Sequence, residues 1–465
     1  MLRLTKKTFS NGDASISYFY DQTSYNGLTI ANGIGRRTGM SDAAGTEAWS
    51  YDAMGRALAD RRTTNSVTKT TSYTYNLDGS PAMLTYPSNR TITYTPNAAG
   101  RLVSGVDTGN SINYALNALY APQGALAYVQ NGASLYSTFL FDKRLHPCWI
   151  YATTSSTGAP TTCAQTGVAM AAVLDFQYDF GLGVADNGNV NKITNRRNTG
   201  RSVTYTYDEL NRIKSAVTDS TSGQYCWGQL FGSMVGGNYV SGYDIWANLK
   251  TITPDPSRPG CGVNTLGLTI GNFNKIVDSG FSYDAAGNLT ATPNPGGLAM
   301  QYDAENHMTT VAGVTYTYDG DGKRMKKSSG KLYWYGMGSD PLTETDLSGT
   351  PTAEYIFFNG KRTARLDLPG AAVHYYFSDH LGSASVITSS TGAIQDESDY
   401  YPFGGERVIT DSDPNQYKFT GKERDSETNL DYFGARVLLQ RPGTMDFARS
   451  EGHRSSPLDE SAKAE

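Results

Sequence analysis

The sequence predicts an all-β protein, a long antiparallel sheet assembled from short hairpins. Three observations carry this expectation. A motif recurs in which Tyr-Asp is followed by two variable residues, then Gly or Asn, a polar residue and an apolar one. Ahead of it Thr, Val and Tyr alternate with a period of two, the pattern of a strand with one packed face. Helix signals are nearly absent.

The copies come in order as YDAMGRAL at Tyr51, YNLDGSPAM at Tyr75, YDELNRI at Tyr207, YDIWANL at Tyr243, YDAAGNL at Tyr283, YDAENHM at Tyr302 and YDGDGKRM at Tyr318. Looser copies begin at Tyr94 and Tyr178. Tyr51, Tyr75 and Tyr94 are 24 and 19 residues apart, and Tyr283, Tyr302 and Tyr318 are 19 and 16 apart, so the period is ragged.

Each copy reads as a strand running into a turn. Val203, Tyr205 and Tyr207 fall on one face, Thr204 and Thr206 on the other; Val314, Tyr316 and Tyr318 repeat the pattern, as do Ile92 and Tyr94. At Asp52 to Gly55 and Asp284 to Gly287 a type I turn is favoured, because Asp bonds the backbone two residues on and Gly takes a φ that other residues resist. Leu58, Ile213 and Leu289 then start the returning strands. One hairpin buries too little to stand alone, so neighbours must pair into a continuous twisted array. Tyrosine suits the packed face, its ring buried and its hydroxyl partnered. Tyr205, Tyr207, Tyr316 and Tyr318 are therefore expected to be more buried than Thr204, Thr206, Thr315 and Thr317.

Composition narrows the function. The 39 basic and 44 acidic residues leave a net charge of −5, and nucleic-acid binders carry a basic face, so none is expected here. The longest apolar run, 168–174, cannot form a transmembrane helix. The start, MLRLTKKTFSNGDASISYFYD, has the basic residues of a signal peptide without its apolar core. Another export route or a fragment of a longer protein would account for it. Cys148, Cys163, Cys226 and Cys261 form no C-x-x-C pair, which excludes zinc-ribbon and thioredoxin-like readings. Local disulfides, Cys148 with Cys163 and Cys226 with Cys261, are one of three pairings; buried or free thiols are the alternative.

From about Lys331 the pattern changes. DHLGS at 379–383 (Asp379, His380, Leu381, Gly382, Ser383) is followed by YPFG at 401–404 (Tyr401, Pro402, Phe403, Gly404). Then come FTGKERDSET from Phe419, holding Gly421, Lys422, Glu423, Arg424 and Asp425, and YFGAR, holding Tyr432, Gly434 and Arg436. The Tyr-Asp copies resemble the YD repeats of the Rhs (rearrangement hotspot) proteins, and this ordered series resembles the Rhs repeat-associated core. The resemblance covers roughly residues 40 to 436. It divides the chain into a repeat shell (1–330), a core or plug domain (331–442) and a diverged tail (443–465) expected to be disordered.

The resemblance implies a spiralling antiparallel sheet wound into a hollow shell or part of one. In bacterial members and insecticidal toxin complexes such a shell encloses a C-terminal toxin, which the core in many members cuts free as an aspartyl autoprotease. In animal teneurins a similar shell serves adhesion, and some YD-repeat surface proteins bind carbohydrate. Two departures bear on this. Val437, Leu438, Leu439 and Gln440 stand where the family usually places aromatic and acidic residues. Only 29 residues follow Arg436, too few for a toxin domain, so a truncated shell without cargo is expected.

Arg424 and Asp425 match the positions linked to self-cleavage. That chemistry needs a second carboxylate to share a proton, so the pair is read as a brace and the chain as non-enzymatic. His374, Asp379 and His380 invite a metal reading, but 374 and 380 on an extended strand lie ~20 Å apart at ~3.3 Å per residue. No metal or cofactor is expected. Asp319, Asp321 and Gly322, like DNGNVN at 186–191, lack the full calcium-loop pattern and read as turns; Gly33, Gly35 and Gly39 read as loop glycines. Lys323, Arg324, Lys326 and Lys327 read as a solvated strand edge. The leading expectation is a secreted or surface β-scaffold of a toxin system, enclosing or presenting a polypeptide or joining a neighbouring shell segment. The alternative is a carbohydrate-binding or adhesion protein with Tyr and Trp on sugar rings.

Overall fold

The computed structural model describes residues 3–165, 172–181, 187–263, 265–293, 296–434, 436–441 and 444–447. Its architecture is all-β: among these residues the only helical turns are four 3₁₀ segments of three residues each. A sheet of 20 strands begins with Lys6–Lys7, Ile16–Tyr20 and Arg37–Asp42. From there each strand pairs antiparallel with the next as far as Ile213–Thr218, and the sheet ends through Gly228–Leu230, Thr251–Pro254 and Leu266–Gly267. A sheet of 12 strands runs from Met300–Tyr302 to Glu406–Asp411, and a sheet of four from Glu423–Asp425 to Thr444–Phe447. The array expected to be continuous is thus divided in two. Across residue 330 the strand Arg324–Lys327 pairs with Lys331–Tyr335. Across 442, Thr444–Phe447 is a strand paired with Val437–Arg441. The rest of the expected disordered tail, 448–465, and the start of DNGNVN lie outside the described residues.

The turn chemistry is what the repeat encodes. Gly55 and Gly287 have φ of 90° and 92°, their amides bond Asp52 O and Asp284 O, and the Asp52 and Asp284 carboxylates accept from the residue after each glycine. The register slips by one residue beside the tyrosine, at Ser50/Tyr51, Thr74/Tyr75 and Thr317/Tyr318, which adds twist at every copy. Two contacts join consecutive copies. The tyrosine hydroxyl donates to a carbonyl at the start of the previous returning strand: Tyr75 to Ala57 at 2.9 Å, Tyr243 to Ile213 at 3.0 Å, Tyr318 to Met308 at 2.8 Å. The polar residue after the turn glycine or asparagine lies over the next tyrosine: Arg56 on Tyr75, Arg212 on Tyr243, Lys323 on Tyr335, with His307 stacked on Tyr318.

Tyr316 and Tyr318 are buried while Thr315 is exposed and Thr317 half-buried. Tyr205 and Tyr207 are only half-buried, no more so by class than Thr204, with Thr206 exposed. The largest core lies between the two great sheets, joining Tyr86, Ile92, Tyr114 and Leu135 to Ile356, Phe358, Leu366 and Tyr375. Hydroxyls cross it: Tyr86 donates to Tyr355 O and Tyr375 to Asn113 O. Gly320 is one close approach, where a Cβ would stand 2.5 Å from Ile16 Cγ2, and at Gly392 a Cβ would stand 2.3 Å from Thr154 Cγ2. Side chains therefore fill the space between the sheets over this stretch.

Two expectations are corrected. Gly39 lies within the strand Arg37–Asp42 and receives the Tyr25 ring, so it is no loop glycine. The basic cluster is not an edge: Arg324–Lys327 is paired on both sides, and Arg324 and Lys327 are buried. The bulge at Met325 turns both toward the core block. Cys148 is joined to Cys163 and Cys226 to Cys261, with Cα atoms 5.7 and 5.1 Å apart.

Candidate functional site

The core motifs meet on two sides of one block. Residues 379–383 form a repeat-type turn in which Asp379 Oδ1 accepts from the Leu381 and Ser383 amides, and Gly382 takes φ 87°. Burial raises the Asp379 carboxyl and lowers the adjacent His380 imidazole, so both are biased toward neutrality. In 401–404 the Gly404 amide bonds Tyr401 O, and Phe403 is held at φ 70°, a strained backbone for a bulky side chain. That strain aims two rings at the large sheet: Tyr401 meets Trp227 edge-on at 4.9 Å and Phe403 meets Phe231 at 5.6 Å.

These turns wall a cavity of about 570 Å³. Asp379, His380, Leu381, Tyr401, Pro402 and Phe403 line it, with Phe433 and Arg436 of the YFGAR stretch. The large sheet supplies Tyr178, Val203, Tyr205 and Trp227 opposite. Tyr178 is within edge-to-face distance of His380, 4.8 Å, and its hydroxyl accepts from the His380 amide. Gly382, Ser383, Gly404, Gly421 and Gly434 do not line the cavity; they serve the turns that shape it.

On the other side lies an ionic seam. Arg324, fully buried, donates to Asp425 Oδ2 at 2.8 Å and Glu423 Oε2 at 2.7 Å. Lys327 Nζ reaches Asp425 Oδ1 at 3.1 Å and Glu427 at 2.8 Å. Lys331 bridges Glu344 and Glu423, and the Tyr333 hydroxyl donates to Glu423. The Tyr432 ring stacks on the Arg324 guanidinium at 4.1 Å. Burial would raise the Glu423 carboxyl, but the surrounding cations outweigh it and hold it below the usual range. Lys422 lies 3.5 Å from Asp340.

Arg424 points the other way, to Asp431 at 2.8 Å and to Glu406. Burial pushes Asp431 up to about 6 although Arg424 opposes it. Asp425 and the nearby Asp431, six residues on, are thus each held by a cation. The arrangement braces strands. His374 and His380 do not converge: His374 sits between Asp413 (2.9 Å) and Asp367 (3.0 Å), away from the cavity wall. Among the described residues no three of His, Cys, Asp or Glu gather as a metal site.

Sequence reasoning missed the far walls. Tyr178 and Tyr205 were visible as repeat tyrosines and Trp227 as the neighbour of Cys226, but nothing in the sequence said they face residues near 400. The partners of Asp425 were visible only as a run of cations.

No protein-family model matches the chain. In sequence it is similar to the tRNA nuclease WapA of Bacillus subtilis (strain 168), 28% identical over 237 residues, which is 48% of this chain and 10% of the relative. It is also similar to the tRNA(Glu)-specific nuclease WapA of Bacillus subtilis subsp. natto, 29% identical over 39% of this chain and 8% of the relative. The chain thus spans about a tenth of the curated relatives it matches. In fold it is similar to the crystal structure of TcdB2-TccC3, with TM-score 0.69 and 17% identity over 93% of this chain and 26% of that one. The Photorhabdus luminescens Tc holotoxin pore gives TM-score 0.69 over 96% of this chain and 25% of that one. This chain therefore shares the all-β fold of one part of those toxin assemblies.

Proposed function

We propose that this chain is shell scaffold of an Rhs-type polymorphic toxin system, deployed in secreted or surface-bound form, which encloses or presents a polypeptide. The observation that carries the reading is that DHLGS, YPFG and YFGAR wall one cavity against the larger sheet while GKERD is held on the strands Arg324–Lys327 and Lys331–Tyr335. Similarity to the WapA proteins and the fold shared with TcdB2-TccC3 support it. The nuclease activity named for the WapA proteins belongs to chains of which this one matches about a tenth. The role proposed for this stretch is enclosure, and the cations that hold Asp425 and Asp431 support that reading.

Co-expression with the polypeptide encoded beside it is the test. Native mass spectrometry is expected to find the two together, with the partner shielded from protease. Saturable glycan-array binding without a retained polypeptide would replace this reading with the adhesion one. Intact mass is expected to stay constant at mildly acid and neutral pH; a product lost on Asp425→Asn would restore the autoprotease.

A further inference from the structure

The cavity has more to it than a gap beneath a plug. At about 570 Å³ it lies within the ~300–1,000 Å³ typical of small-molecule sites. Its walls come from three parts of the chain, with Tyr205 and Trp227 on one side and Tyr401, Phe403 and Phe433 on the other. They are also held in place. Trp227 follows Cys226, whose disulfide to Cys261 anchors that wall, and Phe403 keeps its strained φ of 70°. An apolar void costs contacts and is usually closed by repacking, so rigid walls around an open space need a reason.

The polar groups on the lining are asymmetric. Arg201 is neutralised by Glu397 and Asp399. Arg436 is exposed and lines the cavity, and its guanidinium makes no ion pair with a carboxylate among the described residues. Arg407 bonds only the Tyr225 carbonyl and lies over that ring. Asp379, the carboxyl nearest His380, spends its Oδ1 on two turn amides. An aromatic chamber with free guanidinium at its border fits an apolar body with one negative charge.

We propose that the cavity is a binding site for an aromatic acid, a flat ring system carrying a single carboxylate, with the ring among Tyr205, Trp227, Tyr401 and Phe403 and the carboxylate on Arg436. Two sources share this chemistry: a free small acid, or the aromatic C-terminal residue of a polypeptide. The site does not depend on the scaffold reading, since a chain that encloses nothing could still bind the acid.

The probe is 1-naphthoate, with 1-naphthalenemethanol as its uncharged counterpart, titrated by calorimetry into the full chain. Naphthoate is expected to bind one to one and more tightly than the alcohol. Arg436→Gln, at an exposed position, should weaken naphthoate about tenfold, the scale of a charge-assisted hydrogen bond, and leave the alcohol unchanged. Val203→Trp should fill the cavity and weaken both, in a variant keeping the wild-type far-UV spectrum. A short peptide ending in Trp with a free carboxylate, compared with its amide, separates the sources. Tighter binding than naphthoate assigns the site to a polypeptide terminus, and weaker binding to a free acid. The proposal is overturned if neither naphthoate nor the peptide saturates, or if Arg436→Gln weakens acid and alcohol equally.

Discussion

The two sides of the core block are built on opposite principles, though the same short stretch of sequence contributes to both. On the seam, Arg324, Lys327, Glu423 and Asp425 are almost fully removed from water and every one meets opposite charge. On the cavity side, rings from distant segments meet edge-on and leave space between them. A buried charge tolerates no loose partner, because an uncompensated ion costs several kcal/mol, so the seam fixes how the four-stranded sheet sits. A gap between apolar walls forfeits packing contacts, the more so where the walls cannot relax, so the cavity side gives up stability that the seam keeps. Close pairing is thus found where charge is buried, and open space where it is not.

The largest effect expected on this comparison is at Asp425. Asp425→Ala leaves Arg324 with one carboxylate and Lys327 with only Glu427, and should cost about 3–5 kcal/mol of unfolding free energy. Phe433→Ala, at a side chain already 37% exposed beside the cavity, should cost only about 1–2 kcal/mol. Urea denaturation of both variants checks the order. Equal losses would mean that the seam is no more rigid than the cavity wall.

Next in size are the disulfides. They close loops of 15 and 35 residues, for which chain entropy predicts about 3 and 4 kcal/mol at most. Cys226→Ser with Cys261→Ser should therefore lower stability by about 2–4 kcal/mol. Because that bridge backs Trp227, the near-UV signal of the cavity wall should weaken in this variant and persist when Cys148 and Cys163 are replaced.

What was legible in the sequence follows the same division. The turn at Asp52 to Gly55 and the alternation at Tyr316 and Tyr318 could be read locally, because Asp, Gly and Tyr act on neighbours a few residues away. The resemblance grouped the motifs DHLGS, YPFG, GKERD and YFGAR, but it gave no sign of what their parts touch. Lys323 to Lys327 was misread as a solvated edge because sequence shows a charge and not its partner, and Asp425 lies about a hundred residues on. The half-burial of Tyr205 had no local signal either, since it depends on a cavity whose other wall is Tyr401 and Phe403. Gly39 was misread for the same reason: Tyr25, which packs on it, belongs to a separate small hairpin.

A third cluster tests whether buried charge rigidifies the block beyond the seam. His374 contacts Asp367 and Asp413, and Arg365 pairs with the same two carboxylates. Hydrogen bonds to Asp367 and Asp413 raise the imidazole to about 9 against the opposing effect of burial. Burial would raise Asp413, but His374 and Arg365 lower it to about 2. A raised histidine contributes stability that is complete below its unfolded value near 6.5 and is lost as pH climbs to about 9. The lowered Asp413 contributes above about 4, and that share is lost as pH falls toward 2. Denaturation midpoints should therefore fall on both flanks, and His374→Gln should flatten chiefly the alkaline one, with a smaller loss on the acid flank because His374 also helps lower Asp413.

The smallest effect separates tyrosines that look alike in sequence. Tyr75 and Tyr205 both stand in alternating Thr/Tyr strands ahead of a turn. Tyr75 donates to Ala57 O at 2.9 Å and carries Arg56 on its ring, tying one copy to the one before it. Tyr205 borders the cavity, and its hydroxyl has no hydrogen-bond partner among the described residues. Tyr75→Phe removes its hydrogen bond to Ala57 O, so it should cost about 0.5–1.5 kcal/mol. Tyr205→Phe removes no bond, keeps the ring and makes the chamber more apolar, so its stability should stay within about 0.5 kcal/mol of wild type. Each variant loses one oxygen from an alternating Thr/Tyr strand, so the contrast isolates the hydroxyl ladder from ring packing. Equal losses would show that the ring alone holds each copy, and that the ladder follows from the fold without stabilising it.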